Sequence, residues 1–197
     1  LKNKMLLFMI ISTGVFADAD DLKYLGTKQP YKHKEVKVKT PKGYEPFYIN
    51  HISRHGSRHL SSSKYDKSVY ELLVLAENEG KLTSKGKKLK EKVAKILEIE
   101  KGNYGLLTPV GVKEQKGIAK RMYKENKEVF GREVDAVATY VTRAQQSRDA
   151  FLKELSKYTP DTKFKVSTNG KDDIELRFFD ISPAYLEYEE KEPWKAE

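Results

Sequence analysis

The chain has 197 residues, enough for one large domain or for part of something bigger. Charged residues make up 34% and hydrophobic residues 38%, which excludes an intrinsically disordered chain. A formal charge of +9 and a pI near 9.4 suit anionic partners, namely phosphorylated small molecules, nucleic acid or acidic membrane surfaces. Cysteine is absent, so disulfides, thiolate metal sites and cysteine nucleophiles are excluded.

Residues 1–17 read as a secretory signal. Lys2 and Lys4 form a basic start, Met5 to Phe16 an apolar core, and Val15-Phe16-Ala17 a cleavage site before the acidic Asp18-Ala19-Asp20-Asp21. The apolar run is too short to span a bilayer comfortably, so no stable membrane insertion is expected after signal removal, and the expected location is periplasmic or extracellular. Residues 18–45 are polar and punctuated by Pro30, Pro41 and Gly43, an extended lead-in.

Phe47 to Ile52 reads as a buried strand. It delivers the chain into Arg54-His55-Gly56-Ser57-Arg58, where two guanidinium groups flank an imidazole at a turn. Beyond it, Val69, Leu72, Leu73 and Ala76 predict a helix over 66–79, ended by Gly80. Leu89, Val93, Ile96 and Leu97 predict a second helix over 84–98. Thr108 and Pro109 are a cap and a first helical residue, opening a third helix that persists to about Phe130 with Val112, Ile118, Ala119, Met122 and Tyr123 inward. Val134 to Val141 is a strand pattern. Thr142 and Gln145 have the spacing of a capping box for a fourth helix cored by Phe151, Leu155 and Tyr158. Lys163 to Ser167 is a further short strand, and 174–188 is apolar and aromatic around Pro183. Strands alternating with helices give an α/β domain with a parallel sheet, in which ligands sit beyond the carboxyl ends of the strands. Arg54 to Arg58 follow one such end and Arg143 another.

The residues themselves suggest phosphoryl transfer. Arginine forks match phosphate oxygens, and a neutral imidazole between them can attack phosphorus. Arg54, Arg58 and Arg143 would neutralise the equatorial oxygens, and their field would also disfavour protonation of His55. The leaving alkoxide needs a proton, and no convincing acid is found. Neither a nucleotide-binding glycine fingerprint nor metal-ligand spacing occurs, so no cofactor or metal is expected. His51 reads as a packed strand residue, His59 as possible pocket lining, and Arg121 and Arg177 as partners of carboxylates.

RHGSR resembles the RHGxR signature of the histidine acid phosphatases, within the histidine phosphatase superfamily. PKGYEPFYINHISRHGSR, LTPVGVKEQKGIAKRMY and ELRFFDISPAYLEYE are similar to segments of bacterial multiple inositol polyphosphate phosphatases, which are phytases. The resemblance covers roughly residues 40–190. It implies a phosphoglycerate-mutase-like parallel-sheet core with flanking helices over residues 46–170, with the start of a helical specificity domain over 171–197. It also implies His55 as the phosphorylated nucleophile and Arg54, Arg58 and Arg143 as phosphate-binding arginines. The family's later His-Ala-Glu or His-Asp motif, which carries the general acid, has no match here, because the four histidines are His33, His51, His55 and His59. The chain therefore reads as the N-terminal portion of such an enzyme. The leading function is a secreted phosphomonoesterase acting on inositol polyphosphates. The alternatives are a broad-specificity acid or sugar phosphatase, or a 2,3-bisphosphoglycerate phosphatase, of the same fold. A reading of another class is a basic anion-binding protein without catalysis. A nucleic-acid partner is not expected, since dense aromatic-basic interleaving is missing.

Overall fold

Helix α1 spans Lys64–Asn78 and helix α2 Ser84–Glu100, each within two residues of the spacing-based expectation. Thr83 caps α2 by accepting the Gly86 amide at 3.1 Å, and α1 and α2 pack together as a hairpin. The computed structural model describes residues 31–34, 40–131 and 133–191; the signal-like residues 1–17 and the terminal Pro193 to Glu197 lie outside them. Helix α3, Pro109–Glu125, begins where Thr108 and Pro109 place it, with Thr108 Oγ1 accepting the Gly111 amide at 3.1 Å. Its helical pattern continues to Phe130 in sequence, but the backbone leaves the α-helix at Asn126 and turns through a short 3-10 segment, Lys127–Val129. The Asn126 side chain bonds back to the Met122 carbonyl, a local alternative to continuing the helix.

Strand β1, Glu133–Thr139, pairs in parallel with β2, Lys163–Asn169, in a register running from Glu133 opposite Lys163 to Thr139 opposite Asn169. Helix α4, Thr142–Leu155, makes the crossover between them. A strand–helix–strand unit with parallel strands is the α/β arrangement expected from the sequence. The capping box is not formed. Thr142 lies inside α4, Val141 precedes the helix without a side-chain cap, and Gln145 instead donates to the Tyr140 carbonyl at 2.8 Å. Helix α5, Phe178–Ile181, and helix α6, Pro183–Lys191, divide the aromatic stretch at Pro183, which opens α6.

The segment Phe47 to Ile52 departs from the expected buried strand. It is extended but pairs with no strand among the described residues, and Phe47 and Ile52 are 89% and 83% exposed. A cavity of about 560 Å³ is lined both by this segment and by β1, with Phe47, Ile49, Val134, Ala136, Phe151 and Leu155 among its walls. The two backbones stand apart instead of sharing a ladder, so the apolar residues of the segment stay open. His51 stacks on Phe151, with ring centroids 5.6 Å apart.

Buried residues concentrate where α3 meets α4: Gly111, Gln115 and Ala119 on one helix, and Ser147, Ala150, Glu154 and Leu155 on the other. Four-residue steps from Gly111 to Ala119 mark a single face, and that face carries small and polar side chains that let backbones approach. The apolar stripe expected on α3 is only part of its packing. Tyr123 stacks on Tyr158 at 5.2 Å beside this contact.

Gly56 and Gly111 meet backbone on backbone. A Cβ added to Gly111 would lie 2.2 Å from the Ser57 carbonyl oxygen, and one added to Gly56 would lie 2.6 Å from the Gly111 carbonyl oxygen. Both positions are therefore restricted to glycine by space. Gly111→Ala is expected to lower stability by about 1–3 kcal/mol, the usual cost of overpacking. Thermal unfolding of the variant beside the parent measures it, and an unchanged midpoint would refute the close approach.

Candidate active site

The turn at residues 54–58 is fastened to the start of α3 before any side-chain chemistry is considered. Arg58 and Leu107 form an antiparallel bridge, and the His59 amide donates to the Leu106 carbonyl at 2.9 Å. The Ser57 carbonyl accepts from both the amide (2.9 Å) and the hydroxyl (2.8 Å) of Thr108. One threonine thus caps α3 and holds the turn.

Two consecutive amides of the turn are taken by side chains. The Gly56 amide donates to Ser147 Oγ at 3.1 Å, and the Ser57 amide donates to Glu114 Oε2 at 2.7 Å. Ser147 in turn donates to the Arg143 carbonyl, one helical turn earlier, at 2.7 Å. A serine that bonds back along its helix still has lone pairs to accept with. Ser147 therefore ties the residue after His55 to the residue that carries the third arginine. Gln115 adds a longer bond, 3.3 Å, to the Arg54 carbonyl.

His55 Nδ1 lies 2.8 Å from the Gly56 carbonyl oxygen. A carbonyl can only accept, so Nδ1 carries the proton and Nε2 keeps its lone pair. Burial holds His55 below the ordinary imidazole pKa. The Gly56 carbonyl acts against this, and the charges of Arg143, Arg54 and Arg58 act with it. All three sequence-predicted arginines thus lie close enough to act on this one ring. Arg143 is itself lowered, first by burial and then by the charges of Arg58, Arg177 and Arg54. It remains a cation, since arginine does not deprotonate in proteins. Its Nε is buried with no hydrogen-bond partner among the described residues, a donor that an anion oxygen would satisfy.

An imidazole with a free Nε2 thus lies within the field of three guanidiniums. The chain is similar to the multiple inositol polyphosphate phosphatases. Two crystal structures of the Bifidobacterium longum enzyme, in complex with phosphate and with inositol hexasulfate, each superpose with a TM-score of 0.60 at 29% identity over 68% of this chain. The chain spans 29% and 30% of the lengths of those two proteins. The fold is that of a histidine phosphatase, as the sequence resemblance implied. No protein-family model and no curated protein matches the chain.

Of the remaining sequence candidates, His59 is drawn off by Glu100. Its Nδ1 meets Glu100 Oε1 at 3.3 Å while Oε2 accepts the Leu60 amide at 3.0 Å, so Glu100 at the end of α2 anchors the turn from below. Arg58 Nη1 donates to the His59 carbonyl at 2.8 Å. Arg177 does meet a carboxylate, Asp180, at 2.5 Å, and also lies over the Tyr140 ring at 4.9 Å and the Phe179 ring at 5.2 Å. Its charge acts on Arg143, so it stands nearer the site than expected from sequence. Sequence reasoning assigned no role to Glu114, Gln115 or Ser147, and gave Thr108 that of helix cap but not that of holding the turn. The available signal was a carboxylate and an amide three and four residues beyond Gly111, on a helix face that otherwise reads as apolar. Among the described residues no group of His, Asp and Glu is placed to hold a metal ion.

The His55 ring is expected to titrate below the ordinary imidazole range, and Arg143→Ala to move it upward, because a repelling cation is lost. Imidazole proton and nitrogen shifts followed against pH test both statements. A His55 pKa at or above the ordinary value would show that the arginine field does not reach it.

Proposed function

We propose that this chain supplies the nucleophile and the phosphate-binding arginines of a phosphomonoesterase that acts on inositol polyphosphates through a phosphohistidine. The observation that carries the reading is the His55 ring itself, its Nδ1 committed to the Gly56 carbonyl and its Nε2 free, within reach of the charges of Arg54, Arg58 and Arg143. His55 Nε2 attacks phosphorus, the P–O bond to the leaving group breaks, and its electron pair departs on oxygen. The three guanidiniums hold the equatorial oxygens and gain interaction as charge redistributes. Water then attacks phosphorus and releases phosphate with His55 restored. The bound complexes of the Bifidobacterium longum structures, with phosphate and inositol hexasulfate, favour a highly charged inositol ester over a simple monoester. Activity as a broad acid or sugar phosphatase on the same residues is the second reading. Export, read from residues 1–17, belongs to the proposal, and no helix among the described residues is long and apolar enough to cross a membrane.

Leaving-group chemistry separates the parts of this mechanism. An alkoxide needs general acid help, typically worth about 10²–10⁴-fold, whereas a nitrophenolate departs without it. The 197-residue chain is expected to form a phosphohistidine from p-nitrophenyl phosphate, with a burst of nitrophenolate, and to turn over phytate poorly. His55→Ala is expected to abolish both the burst and the phosphoramidate signal in ³¹P NMR. An undiminished burst in that variant would remove His55 from the nucleophile role. Rapid phytate hydrolysis by the 197-residue chain would show that it holds an acid of its own.

A further inference from the structure

We propose that Glu114 is a positioning residue of the phosphate site, an internal carboxylate that occupies the donors of Ser57 and so aims Arg58 and His55. The inference rests on the reading of the turn as a phosphate site. Successive amides at the start of a turn are the groups with which many phosphate loops grip their ligand. Here they are consumed by the protein. Glu114 Oε2 accepts the Ser57 amide at 2.7 Å, and Oε1 accepts the Ser57 hydroxyl at 2.8 Å. Oε1 also accepts the Tyr31 amide at a longer 3.3 Å. The Gly56 amide is taken by Ser147. With these two amides taken, phosphate is left chiefly to the arginine side chains, whose accuracy depends on how firmly the turn is held.

A carboxylate there has two opposing effects. As a charge near cationic arginines it competes with phosphate for them, which weakens anion binding. As a two-point acceptor from the residue next to Arg58, it fixes the backbone from which that guanidinium projects, which strengthens binding through preorganisation. Charge-assisted bonds of this length are among the stronger ones, and Ser57 and Glu114 are 57 residues apart in the chain, so they join the turn to α3. The second effect is the one proposed to dominate. Glutamine separates them: its Oε1 can accept the Ser57 amide and its Nε2 can donate to the Ser57 hydroxyl, leaving the clamp while removing the charge.

The test measures inorganic phosphate binding to the 197-residue chain and its Glu114→Gln, Glu114→Ala and Ser57→Ala variants by calorimetric titration. Hydrogen exchange of the Ser57 amide is followed on the same samples. Glu114→Gln is expected to bind phosphate as tightly as the parent or a few-fold more tightly, with the Ser57 amide still protected. Glu114→Ala is expected to bind about tenfold more weakly with that protection lost, the order expected for one charge-assisted bond. Ser57→Ala, which keeps the amide bond and poses little risk to folding, is expected to fall between them. Tighter binding in both Glu114 variants would make the residue a mere competing charge and overturn the proposal. Equal binding in the parent and Glu114→Ala would overturn it as well. A parent chain that binds no phosphate would instead sink the phosphatase reading, and this inference with it.

Discussion

The crossing of two glycine backbones, Gly56 over Gly111, is the constraint on which the rest of the site depends. With no side chain on either, the turn can lie directly on the first turn of α3. From there Thr108, Glu114 and Gln115 all reach it. A methyl group at either position would meet backbone at 2.2–2.6 Å and force the turn and the helix apart, straining those bonds. The close approach is thus what turns one helix end into a scaffold for the turn that carries His55. On the opposite side, Ser147 brings α4 to the same peptide.

Electrostatics then follow from placement. Three guanidiniums near one ring repel one another and any proton on His55, so the isolated cluster is costly. The fold bears that cost through neutral bonds that hold the turn, Gly56 to Ser147 and Ser57 to Thr108, while the His59 carbonyl accepts from the Arg58 guanidinium. An anion relieves the repulsion, which makes phosphate binding and imidazole protonation mutually supporting. The Gly56 carbonyl fixes the tautomer without a second carboxylate. The tautomer of His55 is therefore set locally, by the adjacent residue.

Much of the architecture was legible in the sequence because it rests on local signals. Thr108-Pro109 gave the start of α3, Leu89 to Leu97 the face of α2, and the β-rich run at Val134 the first strand. RHGSR and Arg143 could be singled out in the sequence, and the fold brings Arg54, Arg58 and Arg143 near the His55 ring. Three things were not legible. The Thr142–Gln145 spacing suits a capping box, yet helix geometry already begins at Thr142, and spacing alone does not report where φ and ψ become helical. Phe47 to Ile52 has the composition of a buried strand, but a strand also needs a neighbour, and neighbours are tertiary facts. Glu114 and Ser147 look like ordinary polar helix residues, and only the path of a turn some 57 and 91 residues away gives them a task.

Those separations bear on how the protein acquires its chemistry. The turn at 54–58 cannot reach its working shape from nearby residues, because its partners arrive with α3 and α4, on contacts spanning 51 to 91 residues. Closing such loops precedes any gain from the bonds they permit, so long-range sites of this kind form late and together. Competence to bind phosphate should then follow the docking of α3 and α4 on the turn, and partial unfolding of α4 alone should switch the site off while α1 and α2 remain intact.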